Sequence, residues 1–484
     1  MQGRFRIVAL GICSLMLALP PPGQAAPRAL PAAVQLELDR AKLPRDALVA
    51  VVQEVGSESP RLDWRAAEPV NPASLMKLLT TQAALELLGP AWTWSTPVWL
   101  QGTLHNAGPQ GVLEGNLVIK GSGDPKLVME RLWLLLRRVQ QLGVREIRGD
   151  IVLDRSAFAA PTGSPADFDG DPLRPYNVQA DALLLNYRSL VISFTPDVQR
   201  GVAMVSVEPP LAGVRADASL PLADGPCDDW RAAAKADFVD PTRLRFAGNY
   251  AASCGEKQWP LAFADPKGYD ARLLLGLWRE MGGTISGSVR EGAAPLATPS
   301  FVVSSPALAE VVRDVNKFSN NTMAQQLFLT LGLMQKGIGS PQAARETLQQ
   351  WAEARLGEAV SRGLLVDNGS GLSRDHRASA ALLARLLQVA WGGPAMPELM
   401  SSLPVSGVDG TMRRARSALG RAHLKTGSLR DVAGVAGYVL SGSGRRYVVV
   451  AIVNHPDANA ARPALDALVQ WAATDAGQHP RPLN

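Results

Sequence analysis

From about Trp99 to Thr298 the chain reads as many short, glycine-punctuated β runs, while the residues on either side read mainly as helices with a few apolar strands. Leu117-Val118-Ile119, Ile151-Val152-Leu153, Leu190–Phe194 and Val202–Val207 are typical of the middle block, each bounded by turn formers. The N-terminal flank offers a short helix at Pro31–Leu43, an apolar strand at Ala47–Val55 and a helix from Leu75 to Leu88 that Gly89-Pro90 stops. The C-terminal flank offers helices at Ala307–Val315, Asn320–Met334, Pro341–Arg355 and Ala378–Trp391, with apolar stripes at three- and four-residue spacing. Two apolar strands, Val435–Leu440 and Tyr447–Val453, joined across Ser441-Gly442-Ser443-Gly444, then make a hairpin, and an amphipathic helix at Ala458–Ala473 can cover its sheet. Helices from both ends packed on an antiparallel sheet give an α/β (α+β) domain made of 26–98 and 299–484, interrupted by a β-rich insertion, 99–298. The insertion divides into two nested subdomains, one of which carries Cys227 and Cys254.

The opening residues read as a secretory leader, 1–25: Arg4 and Arg6, the apolar run Ile7–Leu19, Pro20-Pro21-Pro22 and the small residues Ala25-Ala26. That run is shorter than the ~20 residues needed to span a bilayer, so an exported, soluble mature chain is expected rather than one with an uncleaved anchor. Losing Arg4 and Arg6 takes the formal charge from +5 to +3. With no cluster of lysines interleaved with aromatics, nucleic acid is an unfavourable partner. Of the three cysteines only Cys227 and Cys254 lie beyond the leader. In an oxidising compartment they most simply form one disulfide, the competing arrangement being two buried thiols. His105, His376, His423, His455 and His479 form neither H-E-x-x-H nor a Cys/His cluster, which disfavours a zinc hydrolase.

Chemistry enters at Ser74-Leu75-Met76-Lys77. Asn71-Pro72 supplies an N-cap side chain and a proline suited to the first helical position, so Ser74 is expected in the first helical turn. Three residues apart, Ser74 and Lys77 share a helix face, which brings an amine within reach of a hydroxyl that needs a base to become nucleophilic. Alone, the tetrad is also met on ordinary solvated helices. Ser319-Asn320-Asn321 falls in a loop between two helices, where its polar side chains can reach a cleft or simply cap the next helix. Lys425-Thr426-Gly427-Ser428 precedes the terminal hairpin and belongs on an edge strand, where alternate side chains point one way and Gly427 admits close approach of a ligand backbone. Ser-x-x-Lys, Ser-x-Asn and Lys-Thr-Gly, in that order and each in its expected element, make a strong joint signal.

With these three motifs the sequence resembles the penicillin-recognising serine enzymes. The surrounding residues resemble the low-molecular-mass class C penicillin-binding proteins, the S13 D-alanyl-D-alanine carboxypeptidase/endopeptidases of the penicillin-binding protein 4 type. The supporting stretches are Gly121–Pro125, Ser319–Gln326, Asp367–Ser373 and Leu403–Thr411. The long interval from Ser74 to Ser319 matches the large insertion of this family, which compact class A β-lactamases lack. Asn320 stands where these enzymes often have Asp, with little consequence expected.

The resemblance implies a transpeptidase-like fold and a serine peptidase acting on peptidoglycan stem peptides and cross-links, acylated by β-lactams, in the periplasm. Ser74 would attack the penultimate carbonyl, Lys77 would take its proton, Ser319 would relay a proton to the departing D-alanine, and Asn321 would orient the substrate amide and Lys77. Lys425, Thr426, Gly427 and Ser428 would form the carboxylate-binding strand, with Lys425 keeping Lys77 neutral by like-charge repulsion. The backbone N–H groups of Ser74 and Ser428 would form the oxyanion hole. No metal or other cofactor is implied; peripheral membrane contact without a stable transmembrane anchor, and a homodimer, are compatible with it. A β-lactamase, marked by fast deacylation, and a binding protein with a vestigial site are the competing readings. For the acidic loop around Asp169 and Asp171 a solvated turn is favoured over a contact to the amino group of a diaminopimelate side chain.

Overall fold

The computed structural model describes residues 29–475, so the leader expected at 1–25 lies outside the described residues. A five-stranded antiparallel sheet runs Pro60–Trp64, Leu48–Glu54, Arg446–Asn454, Val432–Leu440 and Ala422–Leu429 in spatial order. Leu48–Glu54 pairs along its whole length with Arg446–Asn454, so the two flanks of the sequence complete a single sheet. Val49 and Val51, with Val448, Val450 and Ile452, face a core shared with helices Met76–Leu88, Leu308–Lys317, Asn321–Lys336, Pro341–Leu356 and Ala380–Trp391. Leu48, Ala50 and Val52, with Val449, Ala451 and Val453, face a second core beneath helices Ala32–Arg40 and Arg462–Ala473. Successive side chains of a strand point to opposite faces, and here both faces are covered, which is why these strands are unbroken apolar runs.

Two helix starts differ from the sequence reading. Ala378–Ser379 pairs with Pro69–Val70 in a short ladder, and the Ser379 hydroxyl then caps helix Ala380–Trp391 by accepting from the Leu382 N–H at 3.0 Å. The last helix begins only at Arg462, after a 3₁₀ turn at Ala458–Ala461.

The chain leaves this sheet through Ser95–His105 and returns through Phe301–Ser304, which pair antiparallel from Ser95 opposite Ser304 to Val98 opposite Phe301. These two strands belong to a seven-stranded sheet, which shares one buried core with a five-stranded sheet formed by residues between them. The block is less purely β than its glycine-punctuated runs imply, because helices Met129–Gln141 and Pro266–Glu280 pack into the same core. Leu132, Leu135, Leu136 and Val139 form a buried stripe at helical spacing, a signal that was present in the sequence. Cys227 and Cys254 are disulfide-bonded with their Cα atoms 4.8 Å apart, beside an aromatic cluster that includes Phe194, Trp230 and Tyr250.

The segment running from Arg155 to Arg188 lies back across the helices of the first core. The Gln326 side chain accepts from the Asp181 N–H at 2.8 Å and donates to the Asp181 carbonyl at 2.9 Å, reading the backbone of that segment at both atoms. The Asp181 carboxylate in turn accepts from Arg155 at 2.5 Å and Arg188 at 2.6 Å. Lys126 and Asp314, 2.8 Å apart, make a second tie between insertion and helices. Among the described residues no helix is long and apolar enough to cross a membrane.

Candidate active site

The turn that carries Ser74 is built by Asn71. Its side-chain oxygen accepts from the Ala73 N–H at 2.9 Å, and its amide donates to the Ser373 carbonyl at 2.9 Å. Ala73 lies in the left-handed region, with φ of 47°, and a 3₁₀ turn at Ala73–Leu75 precedes the α-helix proper, Met76–Leu88. Asn71 therefore caps a local turn rather than the helix expected from the sequence, and Ser74 sits just ahead of the first α-helical residue. The Ser74–Lys77 relationship survives this change, with Lys77 Nζ 3.1 Å from Ser74 Oγ.

Lys77 is completely buried. Its nitrogen also lies 2.6 Å from Asn321 Oδ1 and 2.5 Å from the carbonyl oxygen of Ser370. Burial holds the Lys77 pKa well below that of a free lysine, and the charge of nearby Lys425 lowers it further. Both devices expected of this lysine, desolvation and a neighbouring cation, are present, and desolvation is the larger. Ser370 belongs to the Asp367–Ser373 stretch, which is pinned against the helix that follows Ser74: Thr80 Oγ1 donates to the Gly369 carbonyl at 2.8 Å. At Gly371, with φ of 82°, a Cβ would stand 2.0 Å from the Ala73 carbonyl oxygen. His376, fully buried and kept neutral by that burial, accepts from the Asp367 N–H at 3.2 Å and steadies the far end of the loop.

Ser319 occupies the junction between helices Leu308–Lys317 and Asn321–Lys336, with a left-handed φ of 55°. Asn320 caps the second helix by accepting from the Met323 N–H at 3.0 Å, a role that Asp fills equally well, in keeping with the little consequence expected of this departure. Lys425 lies on the edge strand Ala422–Leu429, as expected, and its amine donates to Ser319 Oγ at 2.9 Å and to the Thr426 carbonyl at 2.7 Å. It is completely buried, and burial lowers its pKa to about 7.

Gly427 requires a correction. A Cβ there would stand 2.8 Å from the Pro72 carbonyl oxygen and 3.1 Å from the Leu75 side chain. The missing side chain thus makes room for the turn that carries Ser74, a neighbour that the edge-strand position alone does not reveal. Two further side chains touch this strand. Thr426 donates to Thr411 Oγ1 at 2.8 Å, and Arg462 donates to Ser428 Oγ at 3.3 Å. Thr411 sits at the end of the Leu403–Thr411 stretch noted above; Arg462 carried no signal in the sequence.

These groups open onto a cavity of about 1010 Å³. Ser74, Ser319, Asn321 and Ser428 line it together with Phe168, Asp169 and Tyr176 of the insertion. Asp169 is in an exposed turn, as its neighbours imply, yet that turn also forms cavity wall. Its carboxylate accepts from the Tyr176 hydroxyl at 2.8 Å and from the Asn177 amide at 2.7 Å. Asp171 instead pairs with Arg174 at 2.7 Å and lies outside this lining. Lys77 and Lys425 sit beneath the cavity floor, each presenting its nitrogen to a serine that does line it.

The D-Ala-D-Ala carboxypeptidase 3 (S13) family model matches residues 30–475. A D-alanyl-D-alanine carboxypeptidase of Actinomadura sp. is 30% identical over 435 residues, covering 85% of this chain and 78% of that protein. The D-alanyl-D-alanine carboxypeptidase DacB of Haemophilus influenzae is 24% identical, covering 85% and 86%. Among solved structures, penicillin binding protein 4 of Haemophilus influenzae superposes with a TM-score of 0.70 at 21% identity, covering 90% of this chain and 97% of that one. A match spanning nearly all described residues, on a fold that brings three separated motifs to one cavity, settles the family: the chain belongs to the D-Ala-D-Ala carboxypeptidase 3 (S13) family.

Proposed function

We propose that the protein is a serine D-Ala-D-Ala carboxypeptidase and endopeptidase, exported to the periplasm, which cleaves peptidoglycan stem peptides and cross-links through an acyl-enzyme on Ser74. The observation that carries this reading is the buried, three-way contact of Lys77. A neutral amine has two N–H donors and one lone pair. Asn321 Oδ1 and the Ser370 carbonyl take the donors, so the lone pair is left for the Ser74 hydroxyl.

Ser74 Oγ attacks the penultimate carbonyl as Lys77 takes its proton, and the backbone N–H groups of Ser74 and Ser428 receive the developing oxyanion. Ser319, its hydroxyl held by Lys425, relays the proton taken up by Lys77 to the departing D-alanine nitrogen, which leaves Lys77 neutral again. Lys425, Thr426 and Ser428 hold the terminal carboxylate, which the equivalent group of a β-lactam imitates. Asn321 holds Lys77 and the substrate amide in register. Water then releases the acyl group, with Lys77 as base. Asp169, which also lines the cavity, offers a carboxylate to the free amino group of a diamino acid in the stem.

Intact-protein mass spectrometry after mixing with penicillin, paired with D-alanine release from a stem pentapeptide, tests this. A lasting adduct and D-alanine release are expected from the wild-type protein, and neither from Ser74→Ala with its fold intact. An adduct that vanishes within seconds, with no peptide cleaved, would point to a β-lactamase. No adduct and no cleavage would overturn the enzyme reading altogether.

A further inference from the structure

A second cleft of about 590 Å³ lies in the insertion, within the ~300–1,000 Å³ typical of small-ligand sites. It shares Pro175, Tyr176 and Pro260 with the cavity above Ser74, so the two adjoin at Tyr176. Tyr176 is 40% exposed at this junction and is fixed by its hydroxyl donating to Asp169. Beyond it, Trp259 and Phe238 form an aromatic wall, their rings 5.5 Å apart, edge to face. Two guanidinium groups and two carboxylates ring the opening: Arg174 paired with Asp171, Asp229, and Arg231 at 5.4 Å from the Trp259 ring.

The composition of this rim selects among ligands. Charges of both signs balance, which disfavours a strongly anionic or cationic polymer. Carboxylates accept and guanidiniums donate hydrogen bonds, matching hydroxyl and acetamido groups that do both. An aromatic wall matches the C–H face of a pyranose ring. We infer that this cleft is a subsite for the N-acetylated sugars of the glycan strand to which the stem peptide is attached. The inference rests on the peptidase reading above and extends it from the peptide to the polymer: a stem whose D-alanine end lies at Ser74 passes Tyr176 and places its sugar against Trp259.

The test compares kcat/KM for a free stem pentapeptide with kcat/KM for the same peptide carrying its N-acetylglucosaminyl-N-acetylmuramyl disaccharide. The wild-type protein should favour the glycosylated form about fivefold, the scale of one aromatic contact. Trp259→Ala and Arg231→Ala should bring that ratio towards one while leaving free-peptide cleavage and penicillin acylation unchanged. Trp259 packs against neighbours, so Trp259→Tyr, which keeps an aromatic face, should retain the preference, and Arg231 is exposed enough to be removed without a folding cost. A wild-type ratio of one, or a preference that survives both alanine variants, would sink the inference. If both variants instead abolish a preference for a cross-linked peptide dimer without sugar, the cleft belongs to a second peptide strand and the sugar assignment is overturned. Failure of the wild-type protein to cleave the free pentapeptide would remove the peptidase reading itself, a distinct result.

Discussion

The amine nitrogen of Lys77 lies 2.5 Å from the carbonyl oxygen of Ser370, a group that can only accept. Because a second acceptor, Asn321 Oδ1, stands 2.6 Å away, the direction of proton transfer at Ser74 depends on what these two oxygens demand of the lysine. Replacing Asn321 by Asp puts a carboxylate at that distance and favours the ammonium form.

Asn321→Asp should therefore raise the Lys77 pKa and move the acidic limb of the kcat/KM profile upward by about 1–3 pH units. Activity at neutral pH falls and returns in part as pH rises. Asn321→Ala removes the contact without adding charge and should lower the rate with far less movement of the limb. Equal profiles for the two variants would show that Lys77 is not the titrating base.

Gly427→Ala tests the packing between the third motif and the nucleophile. The added Cβ meets the Pro72 carbonyl at 2.8 Å, and backbone cannot swing aside as a side chain can. Ser74, two residues on, should shift relative to Lys77, and displacements of this kind cost on the order of 100-fold in rate. Penicillin acylation should fall with peptidase activity, while circular dichroism is unchanged. An acylation rate within twofold of wild type would show that the turn carrying Ser74 does not depend on the missing side chain at Gly427.

Much of this site was legible because its reagents are side chains at revealing spacings: Ser74 and Lys77 three apart, Ser319 and Asn321 at a helix junction, Lys425 on the strand before the hairpin. The Ser370 carbonyl was not legible, since a backbone acceptor has no residue type to betray it; only the surrounding glycines hinted at a tightly packed loop. Gly427 was read with the right geometry and the wrong neighbour, because strand position says which face is open but not what fills it. Asp169 reaches the cavity wall on a segment that Gln326 grips at Asp181, a tertiary contact with no local signature. Helix Met129–Gln141, by contrast, was written plainly in its leucine spacing and was obscured only by the strands around it.

The disulfide should matter for the insertion more than for the chemistry. Cys227 and Cys254 close a loop 27 residues apart in sequence, and the chain-entropy model assigns such a loop about 3–4 kcal/mol. Cys227→Ala/Cys254→Ala should lose stability of that order against denaturant, with penicillin acylation at 25 °C preserved. Two thiols titrating in unfolded, unreduced protein purified after export would contradict the bond.

Lys425 joins recognition to electrostatics, and its burial sets the sign of both. With its pKa lowered to about 7, the free protein carries the anchoring charge only below neutral pH, so kcat/KM should fall as pH rises through about 7. A bound carboxylate favours the ammonium, so the alkaline limb of kcat should lie higher than that of kcat/KM. Lys425→Met keeps the burial and removes the charge. The alkaline limb should disappear along with most of the rate. The acidic limb should move upward, but less than in Asn321→Asp, because desolvation, the larger cause of the low Lys77 pKa, remains. Thr426→Val should lower the rate and move neither limb. Stability follows the same linkage: a lysine whose pKa is lower folded than unfolded costs nothing above about pH 10.4, and its penalty grows as pH falls towards 7, where it is complete. The Met variant lacks that penalty, so it should melt above wild type at pH 7 and lose the advantage near pH 10.5. If its acidic limb and melting temperature both match wild type, Lys425 is a carboxylate anchor alone and has no part in keeping Lys77 neutral.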